Sequence, residues 1–221
     1  REFTANVSHE LKTPLQSIIG SVELLENDLV QPEDRPRFLG RIHQEAQRLV
    51  SLINDILGLS QLDEGAAMPR ESVSLLSLAQ EAAASLSAAA QAQNVTLTVN
   101  GTAGTLTGVR RLLSETVRNL CENAVKYNVP GGSITVTVAE TPQAVTLTVA
   151  DTGIGIPPAD QSRVFERFYR VDKSHSRAIG GTGLGLSIVK HAVAYHHGTV
   201  QLDSTPGQGT VITVTLPKDA A

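Results

Sequence analysis

The chain has 221 residues, of which 41% are hydrophobic and only 3% aromatic, so it is long enough for one domain and a smaller module with aliphatic cores. A net charge of -4 and a pI near 5.9 give no basic excess, which argues against nucleic-acid binding. The single cysteine excludes an internal disulfide, and no apolar run approaches the ~20 residues that span a bilayer.

Two stretches of helical periodicity open the chain, separated by a polar turn with two prolines at residues 27–36. Two helices alone cannot bury an apolar stripe on each, so we expect a second copy of the chain to complete a four-helix bundle. Packing of the hairpin on the rest of its own chain is the alternative. The apolar positions are Val7, Leu11, Ile18, Val22, Leu25 and Leu29, then Phe38, Ile42, Leu49, Ile53 and Ile56.

A short linker near Gly65–Pro69 divides residues 1–65 from residues 66–221. Beyond it, helical stretches near 75–93, 110–127 and 184–195 alternate with segments of period two at 95–99, 133–138, 144–149 and 211–216. Strands interleaved with helices predict a sheet covered on one face. The expected fold class is therefore α+β: a helical hairpin followed by an α/β sandwich.

The first helix carries a histidine in an unusual setting. His9 lies two residues from an apolar position on either side, which turns it to solvent, and Glu10 follows it directly. Thr13 shares the face of His9 one turn later. A neutral imidazole nitrogen can attack a phosphoryl group when a carboxylate accepts or orients the proton on the other nitrogen. We therefore predict His9 as nucleophile, Glu10 as general base and Thr13 as a group that positions water. A plain surface histidine is the alternative.

The helix near 110–127 carries a polar stripe. Asn119 and Asn123 are four residues apart, with Lys126 and Tyr127 one turn beyond. Neutral amide oxygens suit a Mg²⁺ ion whose charge is already balanced by phosphates, and a lysine suits the phosphates themselves. The stripe predicts two metal ligands, Asn119 and Asn123, beside a nucleotide. Without its neighbours it would be a solvated helix face.

An aspartate ends the strand near 144–149. By strand parity the Asp151 carboxylate points inward, and a buried carboxylate is costly unless it is paired. The exocyclic amine of adenine would pair it, whereas guanine presents a carbonyl at that position. Gly153 and Gly155, followed by Ile156, allow the backbone to pass close to the base.

A glycine-rich segment, Gly180–Leu186, runs directly into a helix, and backbone amides at such a helix start can bind phosphate. The preceding segment, Ser174–Ile179, is polar and indicates a lid rather than the strand of a dinucleotide-binding fold. Two phenylalanines in Phe165–Arg170 would anchor that lid. Predicted nucleotide-binding residues in these segments are Arg167, Gly181, Thr182, Gly183, Leu184 and Gly185.

In this order, the segments resemble the phosphoacceptor, N, G1, F and final glycine boxes of the bacterial sensor histidine kinases. The resemblance covers nearly the whole chain. It implies a dimerisation and phosphotransfer hairpin followed by a Bergerat-type ATP-binding domain, with Thr210 near the adenine.

The resemblance also implies the activity and the partners. His9 would be phosphorylated from Mg²⁺-ATP within a homodimer and would pass the group to an aspartate of a response-regulator receiver domain. Thr13 would support phosphatase activity toward that regulator. Because the sequence opens inside a helical pattern, we expect a fragment: the cytoplasmic domain of a cell-membrane protein whose anchor lies further toward the N-terminus.

Two other functions share parts of this pattern. An ATPase of the same nucleotide-binding fold, as in topoisomerases, mismatch-repair proteins or chaperones, would not need the segment around His9. A non-catalytic scaffold would not need intact asparagine, aspartate and glycine positions. The sequence therefore favours the kinase.

Val109 stands where many relatives carry an acidic residue, which predicts a difference only in the capping of the helix that follows. His191, His196 and His197 lie near the end of the last helix, where cations are favourable.

Overall fold

The computed structural model describes residues 2–63, 68–171 and 181–218. It opens with a helical hairpin, in which helix α1 (Glu2–Glu26) is followed by a 3-10 turn (Pro32–Asp34) and helix α2 (Arg35–Asp63). Helix α1 continues through Pro14. The predicted linker lies mostly outside the described residues. Within the described ranges, no helix has the length and apolar character needed to cross a membrane.

The second part of the chain is built on two sheets. A five-stranded sheet has the order β2-β4-β5-β7-β6, in which β2 runs parallel to β4 and the other pairs are antiparallel. Strands β1 and β3 form a separate antiparallel pair. The bounds are β1 (Glu71–Ser74), α3 (Leu75–Ala92), β2 (Thr96–Gly101), β3 (Thr105–Gly108), α4 (Arg110–Lys126), β4 (Ser133–Glu140), β5 (Ala144–Asp151), α5 (Pro158–Gln161), α6 (Gly185–Tyr195), β6 (Thr199–Thr205) and β7 (Gly209–Pro217).

Side-chain alternation explains how this sheet is covered. In β5, Val145, Leu147 and Val149 are buried, while the residues between them are only half-buried. The buried side chains pack against the apolar faces of α3, α4 and α6, including Leu120 and Val189. The prediction of a helical N-terminal part followed by an α/β sheet domain is confirmed. Strands β1, β3 and β6 were not predicted.

One side of the hairpin packs on the α/β domain. Leu52 and Leu59 of α2 form a buried cluster with Leu184 and Ile188 at the start of α6. On this side the hairpin therefore packs on its own chain, which was the alternative considered from the sequence. Other large apolar side chains of the hairpin remain exposed: Leu15, Ile19, Leu24, Leu29, Leu39, Val50, Ile53 and Leu57.

A buried histidine ties the last helix to the start of α4. His196 is fully buried, and its Nδ1 donates to the Ala192 carbonyl at 2.7 Å while its Nε2 accepts from the Val109 N–H at 3.0 Å. A ring that donates and accepts in this way is neutral, and burial lowers its pKa. The expectation of a favourable cation is therefore wrong for His196. A β-carbon on Gly108 would come within about 3.0 Å of the same ring, which explains the glycine before Val109.

Replacing His196 with alanine is expected to lower the free energy of unfolding by about 2–4 kcal/mol, because it opens a cavity and leaves the Val109 N–H unpaired. His197→Asn is the matched control, since His197 is exposed and its positive φ suits asparagine. Urea unfolding measures both variants. Because the folded-state pKa of His196 lies below that of the unfolded chain, wild-type stability should also fall as the pH drops below about 6.5. An alanine variant that matches the control would contradict this role.

Candidate active site

A cavity of about 260 Å³ lies between α4, the end of β5, the glycine-rich loop and the hairpin helix α2. A pocket with a few convergent polar groups is the usual form of a small-molecule site. The structure brings to it most of the nucleotide-binding residues predicted from the sequence: Asn119, Asn123, Lys126, Tyr127, Asp151, Gly155, Ile156, Gly181, Thr182, Gly183, Gly185 and Thr210.

Asp151 lies at one end of the cavity, where β5 ends beside β7. Its Oδ1 accepts the Gly153 N–H at 2.8 Å and the Thr210 N–H at 3.2 Å. No donor among the described residues is recorded on Oδ2, so this oxygen is available to a ligand. Burial raises the pKa of the carboxyl, and the two backbone hydrogen bonds oppose the rise. This arrangement suits an exocyclic amine.

Two glycines allow this close packing. A β-carbon on Gly153 would lie 2.3 Å from the Tyr127 carbonyl oxygen, and one on Gly185 would lie 2.9 Å from Asn119 Oδ1. Gly153 does not itself line the cavity, but it holds Asp151 through its N–H. Helix α6 begins at Gly185, which lies against the side-chain amide of Asn119. A side chain at either position would collide with these atoms unless they shifted.

The opposite end of the cavity is cationic. Burial, together with the positive charge of Arg170, lowers the pKa of Lys126 to about 8. The Arg170 side chain is only 5% exposed, and its Nε has no hydrogen-bond partner among the described residues. A buried donor without a partner is costly, so an anionic ligand would be stabilised at this end. Arg170 was not predicted from the sequence, although it ends the segment that carries the two phenylalanines.

The asparagine stripe fits a magnesium site of a particular kind. Asn119 and Asn123 lie one turn apart and both line the cavity. No group of three or more His, Cys, Asp or Glu side chains with metal-binding geometry occurs among the described residues. Mg²⁺ commonly takes few protein ligands and completes its shell with water and substrate phosphates. The amide oxygens are compatible with that mode of binding, and the metal remains a prediction.

Besides Gly153, two other predicted residues lie outside the cavity, each for a clear physical reason. Arg167 donates to Asp63 of the hairpin at 2.7 Å and lies 2.9 Å from His191 Nε2, so its guanidinium faces α2. Leu184 is fully buried in the apolar cluster that it forms with Leu52, Leu59 and Ile188. Its side chain therefore anchors the end of the glycine-rich loop to this cluster. Phe168, a predicted lid anchor, packs against the same cluster. The lid itself lies outside the described residues.

The predicted phosphoacceptor lies on the exposed face of α1. His9 is exposed, and the Thr13 hydroxyl donates to the His9 carbonyl at 3.2 Å. Glu10 accepts from the Arg170 guanidinium at 2.8 Å and lies 3.9 Å from that of Arg48. The residue next to His9 is therefore bound to a side chain that lines the cavity, and this pair joins the two halves of the site.

The hairpin also places a carboxylate in the cavity wall, and this residue was not predicted from the sequence. Asp55 of α2 accepts a hydrogen bond from the Thr182 hydroxyl of the glycine-rich loop at 3.0 Å. Burial raises the pKa of Asp55 to about 6, with Arg118 opposing and Glu115 and Glu122 adding to the rise. Ionised Asp55 therefore weakens the docking of the hairpin at neutral pH.

Replacing Asp55 with asparagine keeps an acceptor for Thr182 and removes the charge, so we expect it to stabilise the docked arrangement by about 1–2 kcal/mol above pH 6. The folded-state pKa is raised, so wild-type stability is lost as the pH rises toward 6, and the variant lacks this loss. Thermal unfolding at pH 5 and pH 7.5 gives the difference between variant and wild type. Asp203→Asn, at an exposed strand position, is the control. A difference that does not change with pH would rule out the proposed cost.

Comparison with known families gives the class of protein that this fold and cavity define. The model described as "Histidine kinase-, DNA gyrase B-, and HSP90-like ATPase" matches residues 108–220. A second model, "His Kinase A (phospho-acceptor) domain", matches residues 1–65. The chain belongs to the sensor histidine kinases, with the phosphoacceptor part preceding the ATPase part.

Relatives and solved structures agree with this membership. The chain is 38% identical over 224 residues to the sensor-like histidine kinase SenX3 of Mycolicibacterium smegmatis, covering 99% of this chain and 57% of that protein. It thus spans a little over half the length of such curated relatives. Full-length ShkA in complex with AMPPNP aligns with a TM-score of 0.73 and 28% identity, covering 100% of this chain and 46% of that one. Histidine kinase ThkA in complex with the response regulator protein TrrA aligns at 0.76 with 22% identity, over 99% and 61%, which shows a common fold.

Proposed function

We propose that this chain transfers the γ-phosphoryl group of Mg²⁺-ATP to His9. The observation that carries the proposal is the hydrogen bond between Glu10 and Arg170. It connects the turn of α1 that bears His9 to the cationic end of a cavity whose other end suits adenine. The relative crystallised with AMPPNP, an ATP analogue, supports the choice of nucleotide.

The chain's own residues account for the steps of the reaction. An imidazole nitrogen of His9 attacks the γ-phosphorus in line, a nitrogen–phosphorus bond forms, and the bond to the β,γ-bridging oxygen breaks to release ADP. Arg170 and Lys126 offset the phosphate charge. Mg²⁺, held by Asn119 and Asn123, would neutralise and orient the phosphates.

The hydrogen bond from Arg170 to Glu10 suggests how the general base of the reaction is controlled. Glu10 is bound to Arg170 in this structure, so its carboxylate is engaged before nucleotide arrives. A γ-phosphate that binds Arg170 would compete for the guanidinium. Release of Glu10 would then allow it to accept the proton from the second imidazole nitrogen.

We also propose onward transfer to an aspartate of a response-regulator receiver domain, and phosphatase activity that uses Thr13 to place water. The solved complex of ThkA with its response regulator supports the partner class. His9 and Thr13 are both exposed one turn apart, which leaves room for a docked domain. The resemblance to sensor kinases further suggests that this chain is the cytoplasmic portion of a cell-membrane protein.

A homodimer is proposed for the hairpin, with residues 1–65 as its dimerisation unit and residues 66–221 as the ATP-binding unit. The support is the apolar surface that α1 and α2 leave uncovered, where Leu39 and Val50 are each 59% exposed and Leu57 is 56% exposed. A second hairpin would bury this stripe in a four-helix bundle. The mass of the chain in solution, measured by light scattering, tests the proposal.

The kinase activity is tested by incubating the chain with Mg²⁺ and γ-labelled ATP. Transfer to a histidine is expected to leave protein-bound label that is labile in acid and stable in base, and peptide mapping is expected to place it on His9. ATP that is bound or hydrolysed while no label stays on the protein would favour an ATPase or a scaffold instead.

A further inference from the structure

Three polar contacts meet at the hydroxyl of Ser204, at the base end of the cavity. Ser204 Oγ accepts the Ile156 N–H at 2.8 Å and donates to the Gly209 carbonyl at 2.9 Å. It also lies 2.8 Å from the hydroxyl oxygen of Thr210. Ile156 and Thr210 both line the cavity, whereas Ser204 stands behind them.

Counting protons assigns a direction to the contact between the two hydroxyls. The Ile156 N–H can only donate and the Gly209 carbonyl can only accept, so the one proton of Ser204 is directed to Gly209. Thr210 must then donate its own proton to Ser204. The Thr210 hydroxyl is left with lone pairs alone, and it cannot donate to a bound base.

Gln161 keeps this geometry in place. Its side-chain amide donates to the carbonyls of Ile156 at 2.9 Å and of Ser204 at 2.8 Å. The loop after Asp151 is thereby fixed to β6. The hydroxyl of Ser204 is held at one position, and the direction of the Thr210 proton is fixed with it.

We propose that Ser204 is a specificity-determining positioning residue that makes Thr210 an acceptor only, so that the site prefers a 6-amino purine over a 6-oxo purine. The Asp151 carboxylate is also an acceptor, and a 6-oxo group therefore meets no donor in this network. The inference rests on the proposed ATP site. It assigns a role to Ser204, which does not line the cavity.

The test compares the affinities of the 221-residue chain for ATP and inosine triphosphate, measured by calorimetry with Mg²⁺. Ser204→Ala frees the Thr210 proton to face the cavity, and we expect it to reduce the preference for ATP by about tenfold. Thr210→Val removes the hydroxyl, so adding Ser204→Ala to that variant is expected to change the preference no further. Ser204→Thr should retain the wild-type preference, as should Ser87→Ala on the exposed face of α3.

The outcomes of this test distinguish a failure of the role of Ser204 from a failure of the proposed ATP site. A wild-type chain that does not bind ATP would overturn both. ATP binding with an unchanged preference in folded Ser204→Ala, or an equal loss for both nucleotides, would overturn the role of Ser204 alone. The role of Ser204 would also be overturned if Ser204→Ala altered the preference as much in the Thr210→Val variant as in the wild type. If the alanine variant does not fold, Ser204→Cys keeps the side-chain shape with weaker hydrogen bonds and should give an intermediate preference.

Discussion

Replacing His9 with glutamine is expected to abolish the labelling of this chain by γ-labelled ATP. The nitrogen of a glutamine amide has its lone pair delocalised into the carbonyl, so it cannot attack phosphorus as a neutral imidazole can. Glutamine favours helix about as well as the residues around it, and His9 is exposed. The variant should therefore fold normally and bind ATP with wild-type affinity, while incorporation falls by at least about 1000-fold.

The matched control is His43→Gln, because His43 is also exposed in the middle of a hairpin helix. It should be labelled at the wild-type rate. Wild-type labelling of the His9 variant would assign the phosphoacceptor elsewhere. Loss of labelling in both variants would indicate damage to the hairpin rather than removal of a nucleophile.

Replacing Asp151 with asparagine is expected to weaken ATP binding by about 100-fold, which corresponds to about 2.7 kcal/mol. Oδ1 already accepts from the Gly153 and Thr210 amides, and the asparagine carbonyl can keep both bonds. The new NH₂ then replaces Oδ2 and presents donors to the exocyclic amine of adenine, which is itself a donor. Calorimetry with ATP and with inosine triphosphate measures the change.

The second nucleotide distinguishes recognition of the base from general damage. Inosine carries an acceptor at the 6-position. The affinity of Asp151→Asn for inosine triphosphate should therefore be close to that of the wild type or higher. Asp203→Asn lies on an exposed strand and should leave both affinities unchanged. A folded Asp151 variant with wild-type ATP affinity would exclude Asp151 from base recognition, and equal losses for both nucleotides would assign it to another part of the site.

The positions of several site residues followed from local patterns alone. Strand parity predicted that the Asp151 carboxylate turns toward the interior, and the observed alternation in β5 agrees with it. Helical spacing predicted that Asn119 and Asn123 share one face of α4, and both line the cavity. Each of these inferences concerns residues a few positions apart in a single element, where backbone geometry fixes the direction of the side chain. Their role in binding remains a prediction.

Other features could not be predicted because the partners are far apart in the sequence. Glu10 meets Arg170, and Asp55 meets Thr182, across the contact between the hairpin and the α/β domain. The sequence placed His196 at a helix end that favours a cation, yet its ring is buried and accepts the Val109 N–H at the start of α4. Its burial depends on how two distant helices pack, and no periodicity in either helix carries that information.

By itself, the sequence determined the helical hairpin, the α/β sheet domain and the order of the segments that match the sensor histidine kinases. Apolar periodicity and glycine placement act over a few residues, so they can be interpreted without tertiary contacts. The tertiary structure alone decided that Arg167 faces the hairpin and that Arg170 and Asp55 enter the cavity. The direction of a long polar side chain, and the pKa of a buried carboxyl, depend on which distant groups surround it after folding.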